Sequence, residues 1–390
     1  MLLLRGFQPT IVINVTDLFP PLQSLKQGHW FKLICGASFQ HLPSVRSLTL
    51  AYTLAGADCI DVAADPAVVA AAQSGLQVAR HLLEDAKTRG YGYQGNLPFL
   101  MVSLNDGEDP HFRKAEFNSS QCPSDCSRPC ETICPAQAIV FNQREDTSAA
   151  LSVNFSGVEA QKCYGCGRCI PVCPYGKIYT KSYMSSVDAI APLVMSQVVD
   201  AIEIHTKVGH LAKFEQLWQA ISPWADQLKV VAISCPDGEG MIDYLQRITE
   251  LITPLRGALI WQTDGRPMSG DIGDGTTLAT VKLGQKVLTA KLPGYVQLAG
   301  GTNSYTIVKL KAMGLLKSAE YHPQPHVSGI AYGSYARVLL SPILDQLEKK
   351  EESQTSVKAK VRLEAEPELL WPAVKLAHSL VSQIKSQQER

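Results

Sequence analysis

Short apolar runs alternate with segments of helical period along most of the chain, which is the pattern of strands separated by amphipathic helices. The runs Phe31–Ser38, Asp58–Ala64 and Pro98–Leu104 precede a cysteine-rich stretch. Asp200–Thr206, Val230–Cys235, Ala258–Asp264, Tyr295–Gly301 and Val327–Gly333 follow it. Helical patterns over Pro66–Glu84, Gly240–Thr253, Thr276–Ala290 and Ser334–Leu347 fall between them. Eight strands in alternation with helices predict an α/β fold, a (β/α)8 barrel with an inserted α+β domain. An open doubly wound sheet with the same insertion is the competing architecture. Residues 1–106 and 186–348 are read as the two parts of the barrel and 107–185 as the insertion. Residues 349–390 are read as a charged linker and a C-terminal helix.

In that tail, Leu347–Glu368 is charged and poor in large apolar residues, so it reads as a solvated arm. Leu370, Val374, Ala377, Leu380, Val381 and Ile384 then trace one helical face. Such a face either packs back on the barrel or docks a partner.

Composition narrows the function classes. The 390 residues are 45% hydrophobic and 18% charged, enough to build a large core. The 36 basic and 36 acidic residues balance, which argues against a general electrostatic nucleic-acid binder. The start MLLLRG is too short for a signal-peptide core, and no apolar run reaches a membrane span, so a soluble cytoplasmic protein is expected. Eleven cysteines in such a protein point to metal or redox chemistry rather than disulfides.

Eight of the eleven lie between Cys122 and Cys173. The second run, CYGCGRCIPVCP, sets Cys163, Cys166, Cys169 and Cys173 in the spacing C-x2-C-x2-C-x3-C-P of an iron–sulfur ligand set. Gly165 and Gly167 let the backbone curl close, where N–H groups can face sulfide. The first run, CPSDCSRPCETICP, places Cys122, Cys126, Cys130 and Cys134 at intervals of four. That interval could share one helical face, but Pro123 and Pro129 oppose a continuous helix. Pro135 and Pro174 end the two runs alike, and each is followed by an apolar segment, so the runs form an internal repeat. A four-cysteine zinc site, usually two short C-x2-C units across a loop, fits this arrangement poorly.

From Asn105 to Lys181 the chain resembles the bacterial two-cluster ferredoxins, in which the fourth cysteine of each run ligates the other cluster. The resemblance implies one cluster on Cys163, Cys166, Cys169 and Cys134, of 4Fe–4S type. It implies a second on Cys122, Cys126, Cys130 and Cys173. The first run has one extra residue in each of its first two gaps, which leaves 4Fe–4S and 3Fe–4S both open for that second cluster. The AIVFNQ and ALSVNFSG segments would form the hairpin joining the halves.

Active residues of a barrel belong at the C-terminal strand ends. Asp61, Glu203, His205 and Asp264 are the polar strand-end candidates for proton transfer. Cys35, Cys59 and Cys235 fall on predicted strands, where a free cysteine is most often a small buried hydrophobe. Gly300, Gly301 and Thr302 after strand seven, and Gly333 and Ser334 after strand eight, form glycine-rich turns that could hold a phosphate. With RPMSGDIGDG (Arg266–Gly275), these segments look like the end of flavin-binding barrels of the dihydroorotate dehydrogenase type. Tight packing alone also produces such turns.

The CPSDCSRPCETICP and CYGCGRCIPVCP runs, with AGGTN and AYGSYAR, together resemble the light-dependent period family, iron–sulfur proteins of the cyanobacterial circadian clock input. The resemblance implies a non-enzymatic redox sensor that reports cellular redox state, and with it light, and so modulates the clock's period. It implies clock input proteins as partners, with electron donors and acceptors of photosynthetic electron transport. The competing class is a flavin-dependent iron–sulfur oxidoreductase with its flavin in the barrel.

Overall fold

A computed structural model describes residues 19–36, 42–92, 97–107, 113–134, 136–141, 156–160, 162–163, 165, 167–182, 191–192, 194, 196, 198–265, 274–317, 324–353 and 361–386. In chain order the strands are β1 (Trp30–Gly36), β2 (Cys59–Ala63), β3 (Phe99–Asn105), β4 (Arg113–Glu116), β5 (Ile139–Val140), β6 (Gly157–Val158), β7 (Tyr179–Ser182), β8 (Ala201–His205), β9 (Val230–Pro236), β10 (Ala258–Asp264), β11 (Tyr295–Ala299) and β12 (Gly329–Tyr332). Eight of them close into a parallel barrel in the order β1-β12-β11-β10-β9-β8-β3-β2. The closed barrel decides against the open sheet, and all eight apolar runs read from the sequence lie on its strands. The four short strands β4 to β7 lie between β3 and β8 and form two separate antiparallel pairs.

Period-two alternation divides each barrel strand between two environments. Phe31, Leu33, Ile60, Val62, Ile202 and Ile204 face the helical shell. Trp30, Cys59, Phe99, Met101, Ala201, Val230, Ala232 and Ile260 fill the lower interior, joined by Leu22 and Leu25 of the helix Pro20–Gln27. That helix plugs the N-terminal end of the barrel, with Phe19 set edge-on to Phe99 at 6.0 Å. The helix was not anticipated, nor were Leu42–Ala55 and Leu211–Ile221. Leu42–Ala55 is buried from Val45 to Ala55, so it lacks the polar stripe by which an amphipathic helix is recognised.

The C-terminal helix Pro367–Lys385 packs on Leu42–Ala55 and Ser334–Ser353. All six residues of its apolar face are at most 2% exposed, so within this chain the packing alternative holds. Lys385 at its end pairs with buried Asp58 at 2.5 Å and donates to Ser24 at 2.6 Å, tying the tail to the plugged end. The predicted solvated arm is shorter than expected: the preceding helix continues past Leu347 to Ser353, and a short 3-10 turn forms at Leu363–Ala365. Lys350 explains part of the extension, pairing with Glu368 at 2.6 Å and with Glu366. Among the described residues no helix is long and apolar enough to cross a membrane.

Candidate iron–sulfur centre

The two cysteine runs fold as two copies of one unit. β4 leads into the first run and β5 follows it; β6 leads into the second run and β7 follows it. β4 pairs antiparallel with β7, matching Glu116 with Tyr179, and β5 pairs with β6, matching Ile139 with Val158. Each leading strand therefore pairs with the trailing strand of the other half. The connection between β5 and β6, where the hairpin turn was read, lies outside the described residues.

The local backbone repeats residue by residue. Pro129–Ile133 and Cys169–Val172 are single helical turns carrying Cys130 and Cys169, both buried. Proline at the first helical position explains why the first run is not one long helix: Pro129 starts a turn instead of continuing one. Cys134 (φ −71°, ψ 108°) and Cys173 (φ −72°, ψ 109°) close the two turns in the same conformation. The Cys134 sulfur accepts from the Ala138 N–H at 3.2 Å, and the Cys173 sulfur from the Lys177 N–H at 3.4 Å, each four residues on. Two residues before the buried cysteine, Arg128 (φ 53°) matches Gly167 (φ 73°). Three residues after the closing cysteine, Gln137 (φ 51°) matches Gly176 (φ 59°). The first run thus holds side chains in the left-handed region where the second uses glycine.

The cysteines gather in a small core with Phe117, Ile139 and Ile178. Cys134, Cys163 and Cys169 line one cavity with about 340 Å³ of empty space, part of it open to solvent. Its other walls are Ala115, Ala136, Ala138, Ile139, Gly167 and Arg168. The small side chains leave the room, and the thiols supply soft ligands. Three of the four residues expected for this cluster therefore share a cavity; Cys166 lies outside the described residues.

The other four expected ligands also approach one another. The Cys122 thiol is raised above its ordinary pKa by burial and by the neighbouring Cys126 and Cys173, with Arg128 and Lys177 acting oppositely. Cys130 is raised by burial and, in part, by Cys173 and Cys122. Burial would also raise Cys173, but the backbone N–H groups of Lys177, Tyr175, Ile178 and Gly176 outweigh it and favour the thiolate. Of these residues, Cys173 is the one that backbone N–H groups hold toward the thiolate, the form that ligates iron. Cys122, Cys126 and Cys173 are partly exposed, whereas Cys163 and Cys169 are buried. Among the described residues no three His, Cys, Asp or Glu side chains converge as ligands of a single ion.

Lys114 on β4 fastens the module to the barrel. Its ammonium pairs with Asp65 and donates to the Ala160 carbonyl, three residues before Cys163. The other oxygen of Asp65 caps the helix Pro66–Thr88, accepting from Ala67 N at 2.9 Å and Val68 N at 3.3 Å. At the surface, Arg168 faces Glu348 of the barrel shell at 3.5 Å.

Inside the barrel, above the apolar lower layer, three of the four strand-end candidates meet. Asp61 and Glu203 flank Lys32, which sequence reading had passed over. Lys32 pairs with Asp61 at 2.9 Å and with Glu203, and donates to Gln262 Oε1 at 2.9 Å. Glu203 Oε1 also accepts from Gln262 Nε2 at 2.5 Å and faces His205 Nε2 at 3.0 Å. Ser103 donates to Asp61 at 2.7 Å, and Gln262 bridges to Ser234 and Gln297. Burial alone would lower Lys32, but Asp61 and Glu203 outweigh it and hold the ammonium above its usual range. Burial lifts Asp61 to about 6 despite Lys32. Glu203 ends below its usual range, because Lys32 and His205 overcome the burial. The signal that could have found Lys32 was a single lysine in the middle of the apolar run FKLICG.

Asp264 stands at the half-exposed end of β10, apart from this network. Cys35 and Cys235 are buried thiols pushed up to about 12 by burial, and burial also raises Cys59 well above its ordinary value. The glycine turns use their polar groups internally. Thr302 Oγ1 donates to Ala331 O at 2.6 Å, Thr276 Oγ1 to Gly301 O at 2.8 Å, and Thr280 binds the Gly300 carbonyl. Ser334 Oγ accepts from Arg337 Nη2 at 3.1 Å, beside Gly333. Arg266–Gly273, the loop that completed the flavin likeness, lies outside the described residues.

Comparison with known proteins matches two stretches of the chain to family domains. Residues 122–184 match the LdpA Fe-S cluster-binding domain, and 193–383 match the Light dependent period A C-terminal domain. Light dependent period A of Synechococcus elongatus is 48% identical over 367 residues, 94% of each chain. Among solved structures, a fructose-bisphosphate aldolase from Campylobacter jejuni aligns with 96% of this chain and 91% of its own, at 8% identity and a TM-score of 0.38. The (S)-3-O-geranylgeranylglyceryl phosphate synthase of Thermoplasma acidophilum aligns with 96% and 100%, at 12% identity and 0.31. At 48% identity over nearly its whole length, and with both family domains in their order, the chain belongs to the light dependent period A (LdpA) family.

Proposed function

We propose that the chain is a two-cluster iron–sulfur redox sensor that reports the cell's redox state, and with it light, to the circadian clock. The observation that carries this reading is the doubled module, with Cys134, Cys163 and Cys169 around one cavity and Cys122, Cys126, Cys130 and Cys173 as neighbours beyond it. Cys163, Cys166, Cys169 and Cys134 would hold one 4Fe–4S cluster. Cys122, Cys126, Cys130 and Cys173 would hold the other, of 4Fe–4S or 3Fe–4S type. When bound, such clusters supply reversible one-electron chemistry.

The protein's own residues divide the remaining work. Cys122, Cys126 and Cys173 are partly exposed and would face a redox partner, while Cys130, Cys163 and Cys169 are buried. Lys114 links the approach to Cys163 with the cap of a barrel helix, so a shift of that segment alters an ion pair at the end of β2. Signalling requires that the two redox states differ in such contacts, since a change without differential contacts biases nothing. The name of the Synechococcus relative and the cluster-binding domain support the link to light and clock period.

The test is anaerobic purification with iron, sulfide and flavin analysis and electron paramagnetic resonance. Two clusters without flavin are expected. Cys166→Ser should remove or alter one signal and leave the other; an unchanged spectrum sinks the ligand assignment. Clock input proteins should co-purify with one redox state more than the other, and equal recovery from both rules out sensing.

A further inference from the structure

The two halves of the module share a backbone but differ in charge. Two residues before the buried cysteine, the second half has Gly167 and the first has Arg128, both left-handed. Glycine adopts that conformation at little cost, whereas a side chain there is strained. Space does not explain the choice. A Cβ at Gly167 would meet nothing nearer than Ile170 Cδ1 at 3.9 Å among the described residues. Strain of this kind persists where something else favours the residue.

The Arg128 side chain is held in place. Its guanidinium carbon lies 4.4 Å from the centroid of the Phe141 ring, and that ring stands 5.5 Å from Phe117. Phe117 is buried in the same small core as the cysteines, so the rings keep the cation against the module. Its charge acts on Cys122, together with that of Lys177. A ring face holds a cation without cancelling it, and among the described residues no carboxylate pairs with Arg128 or Lys177. The acidic residues of the run, Asp125 and Glu131, are exposed, where water screens them.

The cations beside the other set are paired off. Lys162, next to Cys163, meets Glu159 at 2.7 Å. Arg168, in the wall of the Cys163 cavity, meets Glu348 at 3.5 Å. Cys163 and Cys169 are also buried, while Cys122, Cys126 and Cys173 are partly exposed. Taking up one electron adds one negative charge to a cluster and its thiolates. An uncancelled cation nearby and access to water both stabilise that added charge. Both favour the Cys122 set.

We propose that Arg128 raises the reduction potential of the cluster on Cys122, Cys126, Cys130 and Cys173, so that this set takes up an electron before the Cys163 set. Arg128 supplies no ligand and acts through its charge. The assignment rests on the two-cluster reading and deepens it, giving the two sets an order: the partly exposed set is reduced first and the more buried set second.

Titration of the anaerobically purified full chain with dithionite, followed by electron paramagnetic resonance, tests this. Cys166→Ser identifies the signal of the Cys122 set, because that is the signal it leaves. This set should be reduced at the higher potential. Arg128→Gly gives the first half the residue of the second and relieves its backbone, so the variant keeps its fold. It should make reduction of the Cys122 set about tenfold less favourable, which is about 59 mV for one electron, and leave the other midpoint in place. Arg128→Lys should retain most of the parental value. The assignment is overturned by a Cys122 set reduced second, or by a midpoint that Arg128→Gly leaves unmoved, raises, or lowers equally in both sets. An Arg128→Lys variant that behaves like Arg128→Gly overturns it too. Iron and sulfide analysis separates the two readings. Two clusters with an unmoved midpoint overturn only the role of Arg128, whereas fewer than two overturn the two-cluster reading with it.

Discussion

In the barrel, Lys32, Asp61, Glu203 and Gln262 bond to one another across four strands, so the buried polar atoms are satisfied by the chain itself. In the inserted module, the sulfurs of Cys134 and Cys173 receive backbone N–H groups, and Cys134, Cys163 and Cys169 surround a hollow walled largely by alanine and glycine. The first interior is complete as folded. The second has few large apolar residues, so its stability depends on what fills it. The same chain is therefore expected to contain one core that tolerates the loss of metal and one that does not.

The largest effect should follow from attacking the module. Anaerobic removal of metal with a chelator is expected to abolish hydrogen-exchange protection at the Ala138 and Lys177 amides while protection persists in β1, β8 and β9. Equal loss in both regions would collapse the distinction. Next in size, Lys32→Met strands two buried carboxylates and should cost about 3–5 kcal/mol in denaturant unfolding. Adding Glu203→Gln to it should recover part of that loss, because the stranded charge is removed.

Acidity separates the two carboxylates of the layer. Asp61 binds its proton more tightly in the folded state, with its pKa moved from 3.8 to about 6. Its contribution is fully present below about pH 4 and is lost as pH rises through 6. Glu203, held below its ordinary range, acts with the opposite sign, and its contribution is lost as pH falls. Asp61→Asn should remove only the first dependence. Between pH 4 and 7 the parent should lose about 2–3 kcal/mol relative to the variant, measured by unfolding at each pH.

The smallest effect compares the two halves of the module. Gln137 is exposed and left-handed where its counterpart is Gly176. Gln137→Gly should stabilise the module by about 1 kcal/mol, with a matching slowing of exchange at Ala138. Gly176→Gln should do the reverse. No gain from the first substitution would mean that the local backbone is not strained at Gln137.

The cysteine runs were legible because cluster ligation requires local spacing: CYGCGRCIPVCP carries its geometry within a dozen residues. The first run was legible as its partner through Pro129 and the shared Cys-Pro endings, although its strain at Arg128 and Gln137 was not. Barrel strands were legible because burial on both faces leaves continuous apolar runs. The fully buried helix Leu42–Ala55 was missed for the complementary reason, since it shows no polar stripe.

By itself, the sequence determined the periodicities, the spacing of the cysteines and the order of elements, all of which rest on relations between near neighbours in the chain. Tertiary structure alone decided that Lys32 meets Glu203, 171 positions away, and Gln262, 230 positions away. It also decided that each half of the module pairs its leading strand with the trailing strand of the other. The physical reason is register. Closure of eight parallel strands at fixed stagger brings one residue from each to a common level, and no local pattern along the chain records which levels will coincide.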